Sequence, residues 1–103
     1  MLTIEIRAKP GKFQELYQTL QALIPTIRKE GECQECRIYR DVEDGDIFFL
    51  SGDWKERRSL ENYMRSNSGS ALLGALDLLS ETVSVRIDNN APSGIEVLKR
   101  MRR

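Results

Sequence analysis

Apolar and polar residues alternate from the start of the chain: Leu2, Ile4 and Ile6 are separated by Thr3, Glu5 and Arg7. That two-residue period predicts a strand with one buried face. KPGK (9–12) ends it, because proline and glycine together break regular structure. From Phe13 the period changes. Phe13, Leu16, Tyr17, Leu20, Leu23, Ile24 and Ile27 recur at three- and four-residue intervals, which predicts an amphipathic helix. Pro25 should kink its last turn by removing a backbone bond, and Gly31 is the expected stop. CRIYRDV (36–42) predicts a second strand, EDGD (43–46) a hairpin turn and IFFLSGDW (47–54) a third strand. The run Ile47, Phe48, Phe49, Leu50 implies burial on both faces of that strand, and Gly52 leaves room beside Trp54.

A second helix is expected from about Lys55 to Arg65, with Leu60, Tyr63 and Met64 inward. SNSGS (66–70) reads as a break, and ALLGALDLLSE (71–81) as a further helical piece with Leu72, Leu73, Leu76 and Leu79 inward. TVSVRID (82–88) alternates cleanly, with Val83, Val85 and Ile87 on one face. After the loop NNAPSG (89–94), Ile95, Leu98 and Met101 fall at every third position. A short helix capped by Ser93 is expected there, and it needs a surface to dock on. The expected division is a domain at 1–90 and a basic extension at 91–103.

This order is β-α-β-β-α-β, an α+β chain of ferredoxin-like type with a four-stranded antiparallel sheet and helices on one face. Phe48 or Phe49 must then lie on the uncovered face. A homodimer that packs sheet on sheet, closing a dimeric α+β barrel, is the expected solution.

Composition narrows the chemistry. The 103 residues suit one domain, and 40% apolar with 31% charged residues is ordinary for a globular chain. No apolar run is long enough to span a bilayer, and MLTIEIRAKP is not a leader pattern, so no membrane association and a cytoplasmic location are expected. Sixteen Lys and Arg balance sixteen Asp and Glu, which leaves no overall field to attract nucleic acid. Lys99, Arg100, Arg102 and Arg103 against Glu96 give the tail a local +3, more often a solvated end than a nucleic-acid contact.

The chain has no histidine. That removes the commonest general base, the commonest metal ligand and the proximal haem ligand of globin-like sites. It also excludes Ser-His-Asp and Cys-His nucleophiles within one chain, and zinc sites of mixed Cys/His ligands. The two cysteines stand in GECQECRIYRD (31–41) at C-x-x-C spacing. A zinc ribbon needs four ligands, and a redox pair of thioredoxin type follows a strand and opens a helix. Here the pair follows a helix and leads into a strand. In an extended chain the offset of three sends Cys33 and Cys36 to opposite faces. Free thiols with a structural role are expected, and no metal.

The chain resembles the antibiotic biosynthesis monooxygenase superfamily of small dimeric α+β-barrel proteins, from about Ile4 to Ile87. The resemblance is carried by IRAKPGK (6–12), by GECQECRIYRD (31–41) with Cys33 where a cysteine is often found, and by FFLSGDW (48–54) ending in the usual tryptophan. The pattern W-x5-L through Leu60 and SALLGAL (70–76) complete it. It implies a cleft between sheet and helices that takes a flat aromatic or polycyclic substrate. Some members resemble quinol oxygenases that need no metal, flavin or haem. Where a histidine often stands nine residues after the tryptophan, this chain has Tyr63, and where a histidine and an aromatic residue often follow it has Ser68 and Gly69. Those departures set it apart from the haem-degrading branch.

The implied activity is a cofactor-independent monooxygenase acting on a quinol or polyphenolic small molecule. Tyr63 would handle the phenolic proton and Arg86 the developing charge, while Trp54, Tyr39 and Leu60 would hold the ring. Each has a plainer reading too: Trp54 and Tyr63 as packed rings, Arg86 as a solvent-facing or interface cation. The alternative function is a non-catalytic dimeric binding or signalling module for a planar ligand or a protein partner.

Overall fold

The first strand in sequence order takes an inner place in the sheet. In the computed structural model, which describes residues 1–30 and 32–102, the elements are β1 (Leu2–Ala8), α1 (Phe13–Glu30), β2 (Cys33–Arg40), β3 (Ile47–Trp54), α2 (Arg57–Arg65), α3 (Asn67–Leu79), β4 (Ser80–Ile87) and α4 (Glu96–Arg100). Gly31, the expected helix stop, and Arg103, the last basic residue, lie outside the described residues. The strands run in the order β2-β3-β1-β4, each pair antiparallel. The chain therefore has the expected α+β, ferredoxin-like β-α-β-β-α-β arrangement, with the second helix in two pieces.

Register follows from alternation. Ile4 pairs with Leu50 and Val85, and Ile6 with Phe48 and Val83, so the apolar members of the strands share the face that the helices cover. Leu16, Leu20, Ile24 and Ile27 of α1 and Leu72, Leu76 and Leu79 of α3 pack onto it. On the other face, Tyr39, Phe49, Glu5 and Ser84 form one row and Arg37, Ser51, Thr3 and Arg86 the next. The apolar run of β3 thus divides, with Phe48 and Leu50 in the core and Ile47 and Phe49 half-exposed outside it.

The break expected over 66–70 shrinks to one residue. Ser66 ends α2 and caps α3: its amide donates to the Tyr63 carbonyl at 3.0 Å, and its hydroxyl accepts from the Gly69 amide at 3.0 Å. A serine N-cap satisfies one orphan donor of the new helix, so SNSG starts α3 instead of interrupting it. Gly69 permits the sharp corner. A Cβ there would lie 2.2 Å from the Tyr63 carbonyl oxygen and 2.8 Å from Met64 Cα.

The hairpin turn is held by side chains. Asp41 accepts from the amides of Glu43 (2.8 Å) and Asp44 (3.0 Å), and Asp44 accepts from the Arg7 guanidinium at 2.8 Å. That hydrogen bond from Arg7 holds the Asp44 carboxyl below its ordinary range, aided by the Asp46 amide.

The tail is docked, although Ser93 is not its cap. Ser93 instead exchanges two backbone bonds of 2.7 Å with Val85, along the outer edge of β4. The helix begins after Ile95, with no side-chain cap. Leu98 and Met101 are buried in the common core. Arg102 donates to the carbonyls of Met64 and, at 3.1 Å, Ser66, while Lys99 pairs with Asp77 at 3.0 Å. Of the tail's described basic residues, Lys99 and Arg102 are thus tied to the fold.

Gly69→Ala is expected to destabilise the protein by about 2–3 kcal/mol, because its methyl group meets backbone that no rotamer change can clear. Urea denaturation checks this; a variant as stable as the parent would show that the corner between α2 and α3 yields freely.

Candidate functional site

Four elements meet at one end of the sheet: the start of β1, the end of β3, the start of α2 and the end of β4. Between them lies a cleft of about 290 Å³, whose walls include Leu2, Asp53, Trp54, Arg57, Leu60 and Ile87. Its apolar floor follows from strand parity, since Leu2 and Ile87 are register partners on the helix-facing side. Leu60 reaches it because it lies on the inner stripe of α2.

Trp54 is the main wall. Its ring folds back over Gly52, where a Cβ would come within 2.5 Å of Cζ3. The indole Nε1 is buried, and among the described residues nothing accepts its hydrogen. A buried donor without an acceptor is costly, since a buried indole N–H usually finds a partner. The rim is charged. Arg57 lies 3.5 Å from Glu61, and the Met1 amino group lies 2.7 Å from Asp88, whose carboxyl it holds below the usual range.

Tyr63 stands behind Trp54, with ring centroids 6.5 Å apart and planes tilted by 50°. It is only 1% exposed. Its hydroxyl lies 2.6 Å from Ser68 Oγ, which lies 2.6 Å from Thr26 Oγ1, which donates to the Leu23 carbonyl at 2.7 Å. A carbonyl can only accept, so Thr26 spends its hydrogen there. Ser68 must then donate to Thr26, and Tyr63 to Ser68. This chain of hydroxyls ties α2, α3 and α1 together, and it commits the phenolic hydrogen within the protein.

Trp54, Leu60 and Tyr63 are therefore brought together; Arg86 and Tyr39 are not. Arg86 alternates with the buried Val85, which puts it on the uncovered face, in a depression of about 210 Å³ shared with Thr3, Glu5, Phe49, Ser84 and Pro92. The expected cooperation of Tyr63 with Arg86 is not available within one protomer, because the sheet lies between them. Tyr39, 53% exposed, belongs to the same outer face and also borders a separate groove between α1 and β2. In that groove Phe13 stacks on Phe48 at 4.6 Å and Arg40 lies 4.0 Å above the Phe13 ring.

Sequence reasoning missed Arg57 and the Ser68–Thr26 relay. The dipeptide Arg57–Arg58, directly after the strand-ending tryptophan, was the available signal for the first. Nothing in the spacing of residues 26 and 68 announced the second.

A model of the antibiotic biosynthesis monooxygenase family matches residues 1–71. Among solved structures, a Pseudomonas aeruginosa protein is 23% identical, covers 87% of this chain and 92% of its own, and superposes with a TM-score of 0.77. A conserved Methanosarcina mazei protein is 22% identical over 85% of this chain and 90% of its own, with a TM-score of 0.75. A structure described as an antibiotic biosynthesis monooxygenase is 18% identical over 89% of this chain and all of its own, also at 0.75. At such identities the likeness is one of fold. Comparison with curated protein sequences returned no match. Among the described residues no helix is long and apolar enough to cross a membrane.

Removing the phenolic hydroxyl in Tyr63→Phe should cost about 1 kcal/mol, the usual net worth of such a hydrogen bond. In a double-mutant cycle with Thr26→Val the two losses should be non-additive, because they sit on one chain of hydroxyls. Urea denaturation of the four proteins measures both; strict additivity would show that the relay does not act as a unit.

Proposed function

The chain belongs to the antibiotic biosynthesis monooxygenase family, and from that premise we propose that the cleft at Trp54 binds a quinol or related polyphenol and oxygenates it without a cofactor. The observation that carries this reading is the buried Trp54 Nε1, a donor with no acceptor among the described residues. A planar ligand with its ring on Leu2, Leu60 and Ile87 would offer that donor a phenolic oxygen once the indole turns to bring its edge to the cleft. Hydrogen bonds to such an oxygen strengthen as it ionises, and ionisation is what lets a quinol pass an electron to dioxygen. The overall change is quinol plus dioxygen to hydroxyquinone plus water.

The chain's residues then divide the work. Trp54 orients the ring and stabilises the phenolate. Arg57 at the rim adds positive charge, the part first given to Arg86. Tyr63 is a positioning residue in this reading: its ring backs the indole, and its own proton is already directed to Ser68. Arg86, Tyr39 and the half-exposed Phe49 belong to the outer face, against which a second copy would pack as a homodimer. The same commitment of the Tyr63 proton favours a second reading, in which the cleft binds a planar ligand or the protein docks on a partner, and no turnover follows.

Oxygen uptake by purified, metal-free protein with a panel of hydroquinones and dihydroxynaphthalenes separates the two. Saturable uptake above autoxidation is expected, persisting with chelator, with one atom of labelled dioxygen in the product. Trp54→Phe should lower kcat/KM about tenfold, the worth of one hydrogen bond to a charged oxygen. Ligand binding at micromolar strength without uptake across the panel would establish the binding reading instead. For the dimer, light scattering at micromolar concentration should give twice the chain mass; the mass of a single chain would overturn it.

A further inference from the structure

β2 carries one more residue than its partner strand can match. Cys33 pairs with Trp54 and Gln34 with Asp53, and pairing resumes with Arg37 opposite Ser51. Glu35 and Cys36 together therefore stand against Gly52. Glu35 takes the left-handed conformation, φ 51°, which a residue with a side chain rarely adopts. Two residues opposing one, with the extra residue turned aside, is a β-bulge.

The bulge reverses the parity expected from C-x-x-C. With Glu35 turned aside, the offset of three behaves as an offset of two, and both cysteines emerge on the inner face. Cys33 is 6% exposed and Cys36 is fully buried. Both are free thiols, and each perturbs the ionisation of the other. Cys33 donates to the Gln34 carbonyl at 3.5 Å. Arg28 clamps the bulge by donating to the Cys36 carbonyl from Nε (3.3 Å) and Nη2 (2.8 Å), which holds a guanidinium beside the pair.

This arrangement makes the two thiols unequal. Interaction with the Cys36 side chain pulls the Cys33 thiol below its ordinary range against the opposing effect of burial. The same interaction and burial push Cys36 up. One sulfur is thus the first to ionise and the other keeps its proton, which is how attacking and resolving thiols differ.

We propose that Cys33 and Cys36 are a hydroperoxide-oxidisable dithiol that closes to an intrachain disulfide at the bulge. The Cys33 thiolate attacks the terminal oxygen of the hydroperoxide; an S–O bond forms, the O–O bond breaks, and the alkoxide leaves and takes up the Cys33 proton as alcohol. The Cys36 sulfur then attacks Cys33; the S–S bond forms, the S–O bond breaks, and the departing hydroxide takes the Cys36 proton as water. Two electrons leave the sulfurs and reduce the peroxide. The pair is also wired to the cleft: a Cβ at Gly52 would lie 2.7 Å from Cys33 Sγ and 2.5 Å from the Trp54 ring, so sulfur and indole crowd one spot. Trp54 is the only tryptophan in the chain, and its fluorescence reports on that spot.

The test is mass spectrometry of the reduced full-length protein after cumene hydroperoxide, with tryptic digestion under acid quench. Cleavage after Lys29 and Arg37 puts both cysteines in one fragment, 30–37. That fragment should lose two hydrogens, regain them with dithiothreitol, and carry no added oxygen, while Trp54 emission changes in step. Cys36→Ser should instead stop with one oxygen on Cys33, trapped by dimedone. Added oxygen on either cysteine of the unmodified chain, a disulfide between chains, or thiols that outlast a peroxide dose sufficient to oxidise free cysteine would each overturn the proposal. The wild-type measurement decides the matter even if the variant folds poorly. It is independent of whether the cleft turns over a quinol.

Discussion

The contact between Gly69 and the Tyr63 carbonyl governs the helical layer. A side chain at position 69 would collide with the last turn of α2, so the corner at Ser66 exists only because glycine follows it. With the corner closed, Ser68 sits where it can bridge Tyr63 and Thr26. The same corner presents the Met64 and Ser66 carbonyls to Arg102, and so gives the tail its anchorage. The ring of Tyr63 then backs Trp54, which forms the wall of the cleft. One absent methyl group thus sits upstream of the relay, the docked tail and the cleft.

Most of the architecture was legible from periodicity, because its elements obey it. The alternation of Leu2, Ile4 and Ile6 and of Val83, Val85 and Ile87, and the helical spacing from Phe13 to Ile27, are direct images of one sheet face and the helix that covers it. Two features escaped for physical reasons. A bulge changes parity, and Glu35 gives no hint that it will turn left-handed, since glycine is the residue that signals such a place. SNSGS looked like a loop because serine and asparagine favour turns and helix starts alike.

The candidate site was half legible. Trp54, Leu60 and Tyr63, named through the family resemblance, do lie together. Arg86 was read on the polar face of its strand, and with its neighbour Val85 in the core it points away from them. The destination of the Tyr63 hydroxyl depends on residues five and thirty-seven positions away, and no local rule reaches that far.

The place of β1 in the sheet also orders events in time. It is made well before both of its neighbours, β3 and β4. Until residues 47–54 and 80–87 have emerged, a nascent chain holds an apolar strand without its sheet partners, and α1 can shelter it. Such long-range pairing is slow and leaves sticky edges exposed. Early helix formation from Phe13 to Glu30 therefore serves as a temporary cover for the strand that the finished sheet will surround.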